Sequence, residues 1–319
     1  MKKYLLLSIL FISLLLNTRA QSNNPDTVYV GVFITSIHDI DFKQKEFTAS
    51  FWLWMNYTNP KLDFEKNLEV PNAKTVEKTF FTKDTANGRI YVQMKLQCVM
   101  KDSWKISNFP FDEQKLRFSI ENSQEEAGSM VFVADTLGEH YDKRFTLRDW
   151  KIDSCIITTG KKVYETAFGM SRPEQKSEYS NFRVRLSITR ETTGLFWKMF
   201  LGMYLAFLIS FICFFIHSDS MDSRFGLSVG ALFAVIGNKY IIDSSLPESS
   251  SFTLVDLLHG LTLLFILIVI LANSISLRMI KKDQLARAVR FDNRIAWIVL
   301  AIYILLNVFF IIDARLGLL

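Results

Sequence analysis

Four long apolar segments occupy the second half of this chain, over residues 196–217, 222–243, 252–280 and 293–313. Each has about the 20 residues or more that a helix needs to cross the hydrocarbon core of a bilayer. Lipid offers no partner to backbone N–H and C=O groups, so such segments must close their hydrogen bonds internally as helices. The second is the least uniform, being interrupted by Asn238 and Lys239. Half of all residues are hydrophobic (50%), and 28 are Phe, too apolar a composition for an ordinary soluble enzyme. The net charge of +5 is small. No dense Lys/Arg block with interleaved aromatics occurs, which argues against a nucleic-acid partner.

The first half is built differently. Residues 1–20 join a basic head, Lys2 and Lys3, to an apolar stretch at 5–16, followed by the small residues Thr18 and Ala20. That pattern predicts a secretory signal peptide; the alternative is an uncleaved anchor helix, for which the stretch is short. Residues 21–192 mix polar and apolar positions. VYVGVFITSI (28–37) and FTASFWLWMNYT (47–58) are rich in β-branched and aromatic residues, and polar DIDFKQKE (39–46) between them predicts a hairpin. In RIYVQMKLQCVM (89–100), Ile90, Val92, Met94, Leu96, Cys98 and Met100 share one face. KLRFSIEN, SMVFVA, WKIDSCIITTG and NFRVRLSITRE continue the pattern, and no helical period is evident. Residues 59–89 read as a short polar connection. Many short strands with polar turns predict a β-sandwich. Cys98 and Cys155 either pair in an oxidising compartment or remain buried thiols. No metal-ligand spacing is present, and no metal or cofactor is expected.

If the signal peptide places the sandwich outside, the four helices run inward, outward, inward and outward, leaving the C-terminus outside. Charge agrees. The connection over 278–294 holds Arg278, Lys281, Lys282, Arg287, Arg290 and Arg294 against Asp283 and Asp292, as a cytoplasmic connection should. The connection DSSLPESSS (243–251) has no Lys or Arg.

Local motifs sharpen this layout. FPFDEQKL (109–116), preceded by Trp104, has an aromatic-Pro-aromatic-Asp core. Arg190 closes the last strand just before the first helix, Trp150 sits in RDWKID, and Leu246-Pro247 lies between the second and third helices. Over roughly residues 28–315 the chain thereby resembles the bacterial pentameric ligand-gated ion channels of the Cys-loop receptor superfamily, without the flanking disulfide. The resemblance implies a ligand-binding β-sandwich over 21–192 in the periplasm. It implies a multi-pass transmembrane domain over 193–319 in the inner membrane, surrounded by lipid, and assembly as a homopentamer. It implies a receptor for ion transport, not an enzyme, gated by a small-molecule or proton agonist. Coupling would run through the 39–46 loop, Pro110, Asp112, Arg190 and Pro247, with an Asp112–Arg190 ion pair that either sets gating states or only anchors the last strand. The agonist would bind between neighbouring sandwiches under the 171–181 loop, where Arg172, Glu174 and Tyr179 are candidate contacts. Three features depart from the family pattern. An aromatic-x-Pro-acid motif is missing before the signature loop, which FPFDEQKL (109–116) resembles, the first helix lacks a Pro, and the second is rich in glycine.

A pore helix must offer one stripe to water. At i, i+4, i+7, i+11 spacing the second helix carries Gly226, Gly230, Phe233 and Gly237, continued by Ile241 and Ser244. Its other faces, with Phe225, Leu227, Val229, Leu232, Val235 and Ile236, are expected to pack on the remaining helices. Five Phe233 rings would form an apolar gate that excludes ions by dewetting; the alternative is that the glycines serve close helix packing. Asp222 at the inner mouth and Asp243 at the outer one favour cations, provided Arg224 turns toward the neighbouring subunit; if Arg224 lines the mouth, anion passage is the alternative. Lys239 is expected either to pair with Asp256 or to reach the interface. His259, one turn from Asp256, is expected to compete with Lys239 for that carboxylate when protonated.

No nucleophile elbow, phosphate-cradling loop or His/carboxylate metal constellation supports an enzyme. Two rivals remain: a non-conducting periplasmic sensor with the same fold, and a structural four-helix membrane protein with a periplasmic interaction domain.

Overall fold

The computed structural model describes residues 24–171, 175–216, 220–246 and 252–317. The signal segment at 1–20 and the candidates Arg172, Glu174 and Pro247 lie outside the described residues.

Strict alternation of side chains builds the first half. In β1 (Asp26–Asp41), Val28, Val30, Val32 and Ile34 are fully buried. In β2 (Glu46–Tyr57), Phe47, Ala49, Phe51, Leu53 and Met55 do the same on one face. β5 (Arg89–Lys101) buries the six residues from Ile90 to Met100 picked out by period two. β6 (Glu113–Asn122), β7 (Met130–Ala134), β8 (Trp150–Tyr164) and β9 (Ser177–Arg190) follow. With β3 (Leu68–Glu69) and β4 (Ala73–Ala86) they form two sheets, ordered β4-β5-β2-β1-β7 and β3-β6-β9-β8. The inward faces meet in one core, where Phe51 of β2 stacks on Phe118 of β6 with ring centroids 4.7 Å apart. Burying each such large side chain contributes about 1.5–3 kcal/mol.

Residues 59–89 are not the short connection expected. They hold a one-turn helix, α1 (Phe64–Asn67), capped by the Asp63 side chain, and then β3 and the whole of β4. The sequence AKTVEKTFFTKDTA hides β4 because the strand is an edge, paired only with β5 and largely exposed on both faces. Alternation needs one buried face, and β4 has none to declare. Cys98 and Cys155 are both free thiols; burial pushes Cys98 up to about 12 and Cys155 up to about 11.

The second half forms α2 (Thr192–Ile212) with a 3₁₀ turn at Cys213–Phe215, α3 (Met221–Asp243), α4 (Leu254–Ile280) and α5 (Leu285–Arg315). Among the described residues these four helices are long and apolar enough to cross a membrane. Two differ from the expected bounds. α2 starts at Thr192, directly after the last strand, and its helical run ends at Phe215. α5 starts eight residues earlier than 293, so residues 285–294 of the basic stretch read as connection are helical and only 281–284 form the turn. The missed signal is a stripe: Ala288, Asp292, Ala296, Val299, Tyr303 and Asn307 are all buried, at spacings of three and four.

The signature loop belongs to the bundle as much as to the sandwich. Ile106 and Phe109 are buried in the core formed by the helices. The Leu254 N–H, at the start of α4, donates to the Ser107 carbonyl at 3.0 Å. Phe111 lies 5.8 Å from Phe196 of α2, centroid to centroid. The two layers are thus joined by inserted aromatic side chains.

Candidate functional site

At this junction Asp112 and Arg190 meet. Arg190 Nε donates to Asp112 Oδ1 at 2.7 Å and Nη2 donates to Oδ2 at 3.1 Å, a fork-to-fork pair whose side chains are 8% and 2% exposed. Gln114 Nε2 donates to the same Oδ2 at 2.7 Å. Three rings enclose the cation: the Arg190 guanidinium carbon lies 4.0 Å from the ring centre of Trp150, 4.7 Å from Phe42 and 4.9 Å from Phe109. Each ring comes from a different segment: the start of β8, the β1–β2 turn and the signature loop. A guanidinium suits this place because it is planar, stacks on aromatic faces and binds a carboxylate with two parallel bonds. Pro110 lies between Phe109 and Phe111 after a cis peptide bond. The far end of α5 also touches the loop, with the Arg315 guanidinium carbon 5.4 Å from the Phe111 ring centre.

α3 is held by one face only. Arg224, Ser228, Ala231, Val235 and Ile242 are buried. Gly226, Gly230, Phe233, Gly237 and Ile241 are exposed in the single chain, Phe233 at 66% and Ile241 at 69%. A Cβ at Gly226, Gly230 or Gly237 would meet nothing within 4 Å, so within the subunit these glycines do not serve close packing. The flanks differ from expectation. Leu227, Val229 and Ile236 do not pack on the other helices of the subunit but are exposed, while Phe225 and Leu232 are half-buried.

Polar side chains secure the buried face. Near the sandwich, Asn238 Nδ2 donates to the Met199 carbonyl of α2 at 2.9 Å and lies 3.0 Å from His259 Nε2 of α4. Gly202 of α2 makes room for this: a Cβ there would stand 2.9 Å from Asn238 Oδ1. The His259 ring is fully buried, with Nδ1 2.8 Å from the Val255 carbonyl. It therefore faces Asn238 and does not compete for the Asp256 carboxylate, as the sequence had suggested. Helical geometry explains the difference, because residues three apart share a side without their polar atoms having to converge. Lys239 does reach Asp256, at 2.8 Å, and also Asp243, at 2.6 Å. Asp256 in addition closes a capping box with Thr253 at the start of α4. Asp243 is thus tied to a cation on its own helix.

At the end of the bundle away from the sandwich, Asp222 is exposed in the first turn of α3. Arg224 takes neither of the two courses expected for it. It is 1% exposed, turned into its own bundle, with Nη1 2.8 Å from Asp292 Oδ2 of α5 and Nε 3.1 Å from the Ile216 carbonyl. The signal was available: an ionisable group in an apolar helix must find a partner, and Arg224 heads the i, i+4, i+7, i+11 set Ser228, Ala231 and Val235.

In the sandwich, Tyr179 does not offer an open ring face. It is 8% exposed, set edge-on to Tyr164 at 5.9 Å and Phe168 at 6.3 Å. Phe168 is the exposed member of this cluster, at 57%. Below it lies a groove of about 680 Å³ whose lining includes Glu121, Lys162, Tyr164, Asn181 and Arg183. Glu121 is buried, accepts from Tyr164 Oη at 2.9 Å and from Asn181 Nδ2 at 2.5 Å, and burial raises its carboxyl pKa above the ordinary value.

No family model matches the chain. Over 259 residues, 72% of this chain and 49% of the relative, it is 21% identical to the pH-sensitive chloride channel 2 of Drosophila melanogaster. Over 269 residues, 76% of this chain and 54% of the relative, it is 25% identical to the neuronal acetylcholine receptor subunit beta-3 of Rattus norvegicus. The human counterpart of that subunit gives 25% over 275 residues, 77% of this chain and 56% of the relative. By sequence the chain is thus similar to channel and receptor subunits. It spans about half the length of the relatives it matches. It joins a sheet-rich domain to four apolar helices, and it is a multi-pass membrane protein.

Asp112→Asn leaves the guanidinium of Arg190 buried without its charge partner. It is expected to lower the stability of the protein by about 3–5 kcal/mol, and Arg190→Lys, which loses both fork and stack, should also destabilise. Denaturant unfolding in detergent measures both.

Glu121 gives a pH-dependent expectation. Its pKa is raised on folding from the ordinary 4.5, so the folded chain keeps a proton that the unfolded chain releases. Stability then falls as pH rises from 4.5 through the folded value, and stays lower above it. Glu121→Gln should therefore raise the thermal midpoint at neutral pH, with the gain vanishing below about pH 4. Thermal scans of parent and variant across pH check both sign and window.

Proposed function

We propose that this protein is one subunit of a ligand-gated ion channel, a homopentamer with α3 around a central axis. One observation carries the reading. α3 is anchored by a small and polar face while Gly226, Gly230, Phe233, Gly237 and Ile241 are left uncovered. A stripe with three glycines gains little from lipid, whereas a ring of five gives it a water-filled lumen. The relatives, named as a chloride channel and as receptor subunits, support the same function.

In this assembly the sandwich lies outside the cell membrane and the Asp222 end inside. Asp222, Gly226, Gly230, Phe233, Gly237, Ile241 and Asp243 line the path, with Phe233 as the apolar constriction. An exposed Asp222 beside an inward-turned Arg224 supports cation passage. The fly relative's name supports chloride as the competing choice. Movement of the sandwich reaches the helices through Phe42, Pro110, Asp112 and Arg190. The agonist binds between neighbouring sandwiches. Protons are one candidate, supported by the buried Glu121 and by the word pH-sensitive in that relative's name.

The test is electrical. Phe233→Ser wets the constriction and removes its dewetting barrier, so the closed state loses more than the open state. Reconstituted parent should pass current on acidification or with a small-molecule agonist, and Phe233→Ser should pass current without either. If neither protein conducts under any stimulus, the non-conducting sensor is the better reading.

A further inference from the structure

The buried pair at the far end of the bundle bears on which ions pass, and this rests on the channel reading above. Arg224 and Asp292 come from α3 and α5 and are 1% and 2% exposed. Asp292 Oδ2 receives Arg224 Nη1 at 2.8 Å and Ser276 Oγ of α4 at 3.0 Å. Both Arg224 Nε and Nη2 donate to the Ile216 carbonyl, at 3.1 and 2.5 Å. Asn273 Oδ1 stands 3.5 Å from Nη1. The guanidinium is thus held at once by Ile216, which follows the 3₁₀ turn, by α4 and by α5. Among the described residues, Asp292 is the one partner of Arg224 that carries charge.

Two residues earlier on the same helix, Asp222 is exposed. Residues two apart on a helix point to nearly opposite sides, so inward rotation of Arg224 leaves Asp222 on the uncovered side that also carries Gly226. A buried charge acts at longer range than an exposed one because water does not screen it. The exposed Arg287, Arg290 and Arg294 of α5 are screened. Arg224 would not be, were it not for Asp292.

We propose that Asp292 is a specificity-determining residue. By pairing with Arg224 inside the bundle it cancels that charge and fixes its direction, leaving Asp222 as the net charge that the inner mouth presents to ions. Asp292 touches no permeating ion and acts through Arg224. Removing its charge would place five unneutralised guanidinium groups around the inner mouth, opposing five Asp222 carboxylates.

Reversal potentials under a NaCl gradient test this. Asp292→Asn should lower the sodium-to-chloride permeability ratio by about fivefold or more. The double variant Arg224→Gln/Asp292→Asn, which removes both charges, should return the ratio to the parent value. A merely structural role would alter yield or stability in both variants without that reversal. An unchanged ratio in Asp292→Asn, while the parent conducts, overturns the proposal. So does a double variant that conducts without the parent's selectivity, and this arm decides if Asp292→Asn alone fails to assemble. A second readout needs no current. The arginine reagent phenylglyoxal, followed by peptide mass spectrometry, should modify Arg287 and Arg290 in the parent but spare Arg224. Modification of Arg224 as readily as those two overturns the proposal even if the parent never conducts, an outcome that by itself would count against the channel reading only.

Discussion

A buried cation at the seam between two unlike layers is the constraint on which this structure turns. A guanidinium taken out of water must be given back a charge and hydrogen bonds, and Arg190 finds both in Asp112. Meeting that need draws four chain segments to one point. β9 supplies the cation, the signature loop the anion and Phe109, β8 supplies Trp150, and the β1–β2 turn supplies Phe42. Because β9 runs through Glu191 into α2, whatever moves the end of β9 moves the first residues of the bundle. The same loop sends Ile106 and Phe109 into the helical core. Packed interiors move as units. On the proposed channel reading, the junction would transmit displacement from sandwich to bundle where a flexible linker would absorb it.

The bundle obeys the same rule at two other places. Asn238 ties α3 to α2 and α4 near the sandwich, and Arg224 ties it to Ile216 and α5 at the other end. Between them α3 buries only small or modest side chains, Ser228, Ala231 and Val235. Two polar fixings on one side fix the rotation of the helix about its axis. The uncovered stripe faces away from the subunit because its opposite is pinned.

What was legible in the sequence follows from where a buried face exists. β1, β2 and β5 each bury one face completely, so period two exposes them at once, whereas β4 is an edge with no such face and its sequence reads as a polar connection. Four apolar segments announced the helices, but α5 was cut short because charged residues at 287–294 suggested a connection. That shortening hid Asp292, and with it the partner of Arg224. The Asp112–Arg190 pair was expected from resemblance, and its geometry is now plain; its aromatic cage of Phe42, Trp150 and Phe109 was beyond reach, since it joins segments far apart in sequence. His259 shows the limit of spacing arguments: proximity to Asp256 on the helix was correct, but the ring turns to Asn238 on α3, a contact that only packing decides.

The central claim is that the uncovered stripe of α3 surrounds a shared axis. Single-particle imaging of the purified chain in lipid nanodiscs tests it most directly. The account predicts rings of five subunits with α3 innermost and Phe233 directed at the axis. Monomers, rings of another number, or rings with α5 or α2 innermost would contradict it.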